Sequence, residues 1–186
     1  GIPASNILIA ATHSHTGPLY FGALRKHFHD LAMAKNGGDE QEDVDYPAEL
    51  TDKLVDVIQR ANNVVAPVKI ETGVAHQTRL SFNRRFHMKD GTVQFNPGKL
   101  NEKIVRAAGP IDPDVGIMLI HDSNDDKPVA GLTVFALHLD TVGGTEYGAD
   151  YPYYLEMALQ KSFGNDFVSL FGTGPCGDIN HIDVSH

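Results

Sequence analysis

The sequence has 186 residues, a single cysteine, and a formal net charge of −9 from 15 Lys+Arg and 24 Asp+Glu. This length is typical of one domain with its own core, and the negative charge argues against nucleic acid as a main partner because it repels phosphate backbones. One cysteine excludes an internal disulfide, and no apolar run reaches the roughly 18 residues that a membrane-spanning helix needs.

The predicted elements of the first half alternate between strands and helices. Residues 6–12 form a short apolar run, which predicts a buried strand. A helix is predicted over residues 22–35, and a clearer one over 47–65, where apolar residues recur on one face and Pro47 lies in the first turn. Residues 68–80 alternate moderately between apolar and polar, as expected of a strand that is covered on one face.

The second half repeats this pattern more clearly. Residues 115–121 and 129–138 are apolar runs that a polar turn separates, which predicts a hairpin. A helix is predicted over residues 150–163, with Pro152 in its first turn, and a buried strand over 167–171. Strands and helices that interleave in this way predict an α/β domain in which a mixed β-sheet is covered by helices.

Three predicted strands end in polar segments that contain glycine, THSHTGP, HLDTVGG and GTGPCGD. Ligands of open α/β sheets bind at the carboxyl ends of the strands. His13 and His15 would point to the same side of an extended chain, and His138 ends another predicted strand. Neutral imidazole is the commonest protein ligand of zinc. Either the three histidines converge on a metal, or each is a hydrogen-bonded structural residue.

Other polar residues near these segments also have two interpretations. Arg84 and its neighbour Arg85 either bind an anionic or carbonyl group of a substrate or form an exposed basic turn. Asp178 either orients a ligating histidine or caps a turn. Cys176 has no evident partner, which argues against a nucleophilic thiol. His181 is either a further ligand or, as its surroundings favour, a surface residue.

Four ordered motifs resemble those of the neutral/alkaline non-lysosomal ceramidase family. ILIAATHSHTGP is similar to the family's T-H-[ST]-H-[ST]-G-P, SFNRR to N-R-S, and FALHLDTVGG to F-A-x-H-P-T. ADYPYYLEMAL and GTGPCGDIN resemble A-D-Y-P-G-Y and G-D-[IV]-[NS]. The motifs span nearly the whole chain, whereas the family's catalytic domain is considerably longer. The resemblance therefore implies that residues 1–186 are the central part of a ceramidase-like zinc hydrolase domain, truncated at both ends.

The resemblance also implies an activity, a zinc-dependent amidase that cleaves the N-acyl bond of ceramide or a related lipid amide. His13 and His138 match the family's zinc-ligand histidines, and His15 matches a histidine near the metal that contacts the substrate or intermediate. Arg84 falls at the family's active-site arginine. His15 and Arg84 are therefore the expected catalytic residues. The family's remaining zinc ligands, a Glu and a Tyr, lie further toward the C-terminus.

The same resemblance suggests further substrate contacts. Gly17, in the first motif, is expected to line the substrate site, as is Asn180, which falls where the best-known members of the family have the serine of G-D-V-S-P-N. The implied partners are a lipid amide such as ceramide and, peripherally, a membrane, with no nucleic acid. The implied location is exported, periplasmic or at the cell surface.

Three alternatives remain from the sequence alone. The first is a metal-dependent hydrolase that acts on a different amide or an ester, since the substrate contacts differ from the family pattern. The second is a non-catalytic relative that binds lipid or glycan. The third is an amidohydrolase-type barrel, which also uses His-x-His at a strand end but requires regular βα repeats that the predicted hairpin interrupts.

Overall fold

The computed structural model describes residues 1–185 and divides the chain into two compact units. The first unit combines Gly1–Gly17 with Val68–His186, and the second is Pro18–Pro67. The length alone predicted one domain. The second unit is inserted between the segment that carries His13 and the first strand of the sheet.

The helices and strands occur in a simple order along the chain. The helices are α1 (Gly22–Asn36), α2 (Tyr46–Asn63) and α3 (Tyr151–Phe163). The strands are β1 (Val68–His76), β2 (Phe82–Asn83), β3 (Arg85–Met88), β4 (Val93–Phe95), β5 (Ile104–Ala107), β6 (Asp114–Asp122), β7 (Pro128–Phe135), β8 (Val168–Thr173) and β9 (Ile179–Asn180). Short 3₁₀ turns occupy Ala4–Asn6 and Glu40–Asp43.

The main sheet has four strands in the order β1-β6-β7-β8. β6 pairs antiparallel with both β1 and β7, and β7 pairs in parallel with β8. Helix α3 forms the crossover connection that two parallel strands require, and it packs against β8. The predicted mixed α/β architecture is confirmed, and the parallel pair brings the carboxyl ends of β7 and β8 side by side.

Two smaller sheets lie beyond the main one. β3 is central in the order β4-β3-β5, and β2 pairs antiparallel with β9. The β2–β9 pair matters for the site, because it holds residues 82–83 against residues 179–180 and so brings the adjacent Arg84 to the GTGPCGD segment. The core of the first unit comprises Phe135, Leu137, Cys176 and Ile179, with Ile111, Val115, Tyr151 and Phe171 packed against it.

The second unit contains α1, a 3₁₀ turn and α2. Gly37 ends α1 in the left-handed conformation that favours glycine (φ 74°). Asp45 begins α2 by accepting a hydrogen bond from the backbone N–H of Ala48. An ion pair of 2.7 Å between Arg25 and the nearly buried Asp39 ties α1 to the following turn.

Several predictions are confirmed and others are wrong. The three helices, the β6–β7 hairpin and the strand at β8 are confirmed within one or two residues at most ends. The strand predicted over residues 6–12 is wrong: among the described residues this segment has no strand partner, and Leu8 is 92% exposed. β1 forms as predicted but all nine residues are exposed, so the predicted cover of one face is wrong for the described part of the chain.

The apolar runs of the sequence do not form a membrane span. Across residues 1–185, no helix has both the length and the apolar character needed to cross a bilayer.

Candidate metal centre

A short backbone pairing brings the three histidines together. β7 ends at Phe135, and the chain continues past it to an isolated parallel bridge between Ser14 and Leu139. The backbone N–H of His15 donates to the carbonyl of Leu139 at 3.0 Å. Because residues 14 and 139 are paired, the residues that flank Ser14 lie beside His138. The predicted convergence of His13 and His15 on His138 is therefore observed, although the segment before His13 is not a strand.

Hydroxyl groups hold the first histidine segment in place. The side chains of Ser14 and Thr16 both donate to the carbonyl of Gly148 at 2.9 Å. The hydroxyl of Thr173, at the end of β8, donates to the carbonyl of Thr12 at 2.7 Å. His13 itself has φ 63°, in the left-handed region that a non-glycine residue occupies only when its surroundings impose it.

The imidazoles form a compact group with ring nitrogens facing one another. The Nε2 atoms of His13 and His138 lie 3.1 Å apart. Ring centroids are separated by 4.7 Å for His13 and His138, 5.0 Å for His13 and His15, and 5.1 Å for His15 and His138. One nitrogen from each ring lies within 4.8 Å of those of the other two.

The protonation of His138 follows from its partner. Its Nδ1 atom lies 2.9 Å from the carbonyl oxygen of Cys176. A carbonyl can only accept, so Nδ1 carries the proton and Nε2 presents a lone pair to the cluster. Metal-binding histidines are typically oriented by such a hydrogen bond from the second ring nitrogen.

A close backbone approach makes this hydrogen bond available. Gly174 donates its N–H to the carbonyl of Phe135 at 2.9 Å. A Cβ atom on Gly174 would lie 3.1 Å from the backbone nitrogen of Ala136 and 3.2 Å from its Cα. Glycine therefore allows the GTGPCGD segment to run against residues 136–138, and this places the carbonyl of Cys176 at the ring of His138.

The electrostatic environment favours neutral imidazole at His13. Burial lowers the pKa of His13, and nearby His138, His15 and Arg84 lower it further, against a smaller opposing effect of Asp140. Neutral imidazole is the form that binds metal. Burial also raises the pKa of the Cys176 thiol, which agrees with the prediction that this cysteine is not a nucleophile.

The cluster fits a zinc ion in donor type and spacing. Zn–N distances of about 2.0–2.1 Å in tetrahedral geometry separate two ligand nitrogens by about 3.3 Å, close to the 3.1 Å between the Nε2 atoms of His13 and His138. The fixed proton on Nδ1 of His138 leaves the required lone pair on Nε2. His13, His138 and His15 are thus candidate ligands or neighbours of a metal.

Arg84 is held beside the cluster by several groups. One terminal nitrogen, Nη2, donates to the carbonyl of Gly177 at 2.9 Å and lies 3.4 Å from Nε2 of His138. The guanidinium carbon lies 4.4 Å from the ring centroid of Phe95, a cation–π geometry. The Nε atom is buried without a hydrogen-bond partner among the described residues. Arg84 is therefore a fixed positive charge, whereas Arg85 is exposed.

Sequence reasoning missed Asp140 as a functional residue. Its carboxylate lies 3.9 Å from Nη1 of Arg84 and 3.1 Å from Nδ1 of His181. Asp140 follows His138 by two residues, and this spacing was the signal available in the sequence. His181, for which a surface role was favoured, is exposed and also belongs to this charged group.

The remaining predicted residues occupy different environments. Asn180 is buried, donates to Asn96 at 3.0 Å and accepts from the backbone N–H of Ile182. Gly17 is exposed, two residues after His15. Asp178 accepts from the side chain of Asn83 at 2.9 Å and so supports the β2–β9 pair. Substrate binding by Gly17 and Asn180 stays a prediction.

An apolar cavity of about 460 Å³ lies in the first unit, next to the charged group. Its apolar lining includes Phe135, Leu137, Tyr151, Leu155 and Phe171, and its polar lining comprises Gln77, Arg79, Thr133, Thr141 and His181. Apolar cavities of this size with few polar groups are typical of small-molecule sites.

A second group of possible ligands lies in the second unit. Nδ1 of His29 is 3.2 Å from the carboxylate of Asp39 and 3.0 Å from that of Glu42. Because carboxylates accept, Nδ1 carries a proton here and cannot donate a lone pair to a metal. Arg25 already pairs with Asp39 at 2.7 Å. We interpret this group as an ion network.

Comparison with known proteins identifies the fold. No family model matches the chain, and no curated protein matches it. The solved structure of neutral ceramidase from Pseudomonas aeruginosa matches 92% of the chain with a TM-score of 0.61 and 22% identity. A structure described as ceramidase complexed with C2 matches the same share with a TM-score of 0.60 and 23% identity. The chain spans 25% of the length of each. The resemblance inferred from the motifs is thus confirmed at the level of the fold.

Proposed function

We propose that this chain is part of the catalytic domain of a zinc-dependent hydrolase that cleaves the N-acyl bond of a lipid amide such as ceramide. The observation that carries the proposal is the pair of imidazole Nε2 atoms 3.1 Å apart, with the proton of His138 fixed on Nδ1 by the carbonyl of Cys176. The ceramidase fold agrees with this activity, and the match over a quarter of the neighbours' length agrees with a partial domain.

The residue types support a metal-assisted hydrolysis. We assign His13 and His138 as zinc ligands, because their Nε2 atoms face each other at 3.1 Å and the proton of His138 is held on Nδ1. Zinc bound there supplies a polarising charge and lowers the pKa of its water toward about 7. Burial and, to a smaller extent, nearby positive charge lower the pKa of His13 and so favour its neutral, ligating form.

We assign Arg84 to charge stabilisation. Amide hydrolysis develops negative charge on the carbonyl oxygen, and fixed cationic donors stabilise such charge most effectively when they do not have to reorganise. Arg84 satisfies this condition, because Gly177, Phe95 and Asp140 hold its guanidinium.

We assign His15 to proton transfer. The leaving amine must gain a proton when the amide carbon–nitrogen bond breaks, and imidazole is the side chain best suited to this near neutral pH. The ring of His15 is 5.0 Å from that of His13 and 5.1 Å from that of His138, and the residue is exposed. It can therefore contact both the cluster and a bound substrate.

The substrate class follows from the surroundings of the site. The apolar cavity of about 460 Å³ suits the hydrocarbon part of an amphipathic amide. We extend the proposal to peripheral contact with a membrane and to an exported, periplasmic or cell-surface location, which the resemblance to ceramidases supports. Nucleic acid is not a proposed partner, given the net charge of −9.

A second candidate is a related hydrolase that acts on a different amide or on an ester. Asn180 favours it, because an amide stands where the best-known members of the ceramidase family have a serine hydroxyl, and this amide is already bonded to Asn96 and Ile182. A parallel assay of N-acyl amides and matched esters separates the two candidates.

The test of the proposal is zinc content, measured by elemental analysis of the natural protein after dialysis, together with hydrolysis of an N-acyl lipid amide. We expect near-stoichiometric zinc in the wild type, loss of zinc and activity in the His13→Ala/His138→Ala double variant, and retained zinc with lost activity in His15→Gln. His27→Ala, an exposed histidine of α1, is the control and should change neither. A wild-type protein without zinc would overturn the proposal.

A further inference from the structure

Asp140 links the histidine cluster to a residue outside it. One carboxylate oxygen lies 3.9 Å from Nη1 of Arg84, whose Nη2 is 3.4 Å from Nε2 of His138. The other oxygen lies 3.1 Å from Nδ1 of His181. The side chains of Asp140 and His181 are 21% and 36% exposed, so the pair stands at the rim of the site rather than in the core.

The partner of His181 determines what its other nitrogen can do. Because a carboxylate accepts, Nδ1 of His181 donates to Asp140, and Nε2 is left as a hydrogen-bond acceptor. An aspartate that fixes the tautomer and direction of an imidazole in this way is a recurrent device of functional sites. A ligand beside His181 must therefore offer a donor, such as a hydroxyl or an N–H group.

His181 also lines the apolar cavity, together with Thr141 and Tyr151. In apolar cavities, the few polar groups of the wall fix the orientation of the ligand and provide its specificity. One side chain thus belongs to the cavity wall and, through Asp140, to the group that holds Arg84. A molecule that occupies the cavity and contacts His181 therefore needs an apolar part and a nearby hydrogen-bond donor.

We propose that His181 is a specificity-determining residue for an N-acylated amino alcohol, and that Asp140 is the positioning residue that orients it. The substrate hydroxyl donates to Nε2 of His181 while the hydrocarbon part occupies the cavity. This inference rests on the proposed hydrolase function and names the substrate group that the site selects. Both residues differ from the motifs given above, which have threonine and proline at these positions.

The kinetic test uses two substrates with the same acyl chain and the same carbon skeleton, one with the hydroxyl and one without it. We expect His181→Leu to lower kcat/KM for the hydroxylated amide about tenfold, mainly through KM, because one hydrogen bond is lost. The deoxy amide should be unaffected. His181→Gln, which retains an acceptor, should restore part of the preference, and Asp140→Asn should weaken it while also lowering kcat through Arg84.

The control is a second histidine–aspartate pair outside the site. His76 of β1 lies 2.6 Å from Asp114, and both are exposed. His76→Leu should leave the preference between the two amides unchanged. An equal loss of kcat/KM for both amides in His181→Leu would indicate a merely structural role and overturn the proposal. No loss of kcat/KM for either amide would also overturn it.

A binding measurement separates this inference from the proposed function. Isothermal titration of the zinc-free protein with each amide measures the preference without catalysis. If His181→Leu binds the hydroxylated amide more weakly than the wild type does, the inference is supported, even when the wild type hydrolyses neither substrate. That absence of hydrolysis would overturn only the proposed hydrolase function. If the wild type hydrolyses both amides and the variant binds both as the wild type does, the inference fails and the hydrolase stands. Binding of neither amide also overturns the inference.

Discussion

Hydrogen-bond partners, more than proximity alone, define the roles of the histidines. His138 and His181 both donate through Nδ1, to the carbonyl of Cys176 and to Asp140, and both keep Nε2 as an acceptor. His29 instead places Nδ1 between two carboxylates. The position of the ring proton therefore distinguishes His138, whose Nε2 faces the neighbouring rings and can bind a metal, from His29, whose Nδ1 faces the neighbouring carboxylates but carries the proton.

Arg84→Lys tests the role of a fixed guanidinium. Lysine keeps the positive charge but cannot reproduce the planar fork that contacts Gly177 and Phe95. We expect kcat for amide hydrolysis to fall by about 10²-fold, the typical effect of removing one oxyanion donor, with zinc content unchanged. Steady-state kinetics and elemental analysis measure both quantities.

The exposed neighbour provides the control for Arg84. Arg85→Lys changes the same residue type one position away, where the side chain is exposed, and should leave kcat unchanged. A wild-type kcat in Arg84→Lys would contradict the assignment, and loss of zinc in the same variant would make Arg84 a structural support of the cluster instead.

At the scale of single residues, the sequence predicted which histidines converge but not what holds them. The two-residue spacing of His13 and His15 and the strand before His138 were sufficient to predict the convergence of these histidines. The carbonyl of Cys176 has no sequence signature, so its role became visible only with the fold. The spacing of Asp140 from His138 was a weak signal, because an aspartate in a loop has many alternative roles.

At the scale of elements, the buried carboxylate of Asp150 caps the N-terminus of α3 and accepts hydrogen bonds from the loop after His138. Asp150 accepts hydrogen bonds from the hydroxyl of Thr141 and from the backbone N–H groups of Val142 and Tyr151. Burial opposes ionisation, but these hydrogen bonds outweigh it and lower the pKa of Asp150. The helix N-terminus also favours negative charge there.

Asp150→Asn should destabilise the protein in a pH-dependent manner. The pKa is lower in the folded than in the unfolded chain, so the stabilisation is fully present above the unfolded value of about 3.9 and is lost as the pH falls through the lower folded value. We expect a loss of about 2 kcal/mol in the free energy of unfolding at pH 7. Urea unfolding between pH 7 and pH 3 measures the difference, which should shrink below about pH 4.

The choice of asparagine and the control follow from the backbone. Asp150 has φ 59°, and asparagine tolerates positive φ better than other replacements, so the variant tests charge and not backbone strain. Asp52→Asn, at an exposed position of α2, should leave the free energy of unfolding unchanged. A difference that persists undiminished at pH 3 would show that the charge of Asp150 is not its source.

Long periodic elements were predictable, whereas short paired ones were not. α2 and α3 carry proline in the first turn and an apolar repeat, and the β6–β7 hairpin has a polar turn, so local sequence determines them. β2 and β9 have two residues each and exist only because each pairs with the other across almost 100 residues. The apolar segment 6–12 failed as a strand for the converse reason, since β-strands need a partner.

At the scale of the whole molecule, the motifs that carry the resemblance lie far apart in sequence and meet at one site of the first unit. His13, Arg84 and His138 belong to three of these motifs, and the structure joins them within hydrogen-bonding distances. The order of motifs thus predicted that these residues lie together, and their roles in metal binding and catalysis stay predictions. It did not indicate that Pro18–Pro67 forms a compact unit of its own, because the insertion carries none of them.

The structure also predicts the number of zinc ions per chain, a property of the whole molecule, because its described residues include two groups of possible metal ligands. In the first unit, the free Nε2 of His138 faces Nε2 of His13 at 3.1 Å, which suits a metal. In the second unit, Nδ1 of His29 is committed to carboxylates, and Arg25 neutralises Asp39. We therefore expect one zinc per chain after dialysis against zinc-free buffer.

Variants of each group check this stoichiometry by elemental analysis. His29→Ala should leave one zinc per chain, because its ring serves an ion network that connects α1 to the turn before α2. The His13→Ala/His138→Ala variant should contain none. Two zinc ions in the wild type, one of them lost in His29→Ala, would mean that zinc displaces the proton of His29 and competes with the ion pair of Arg25 and Asp39. The tautomer argument would then fail for the second unit while the assignment of the first unit stands.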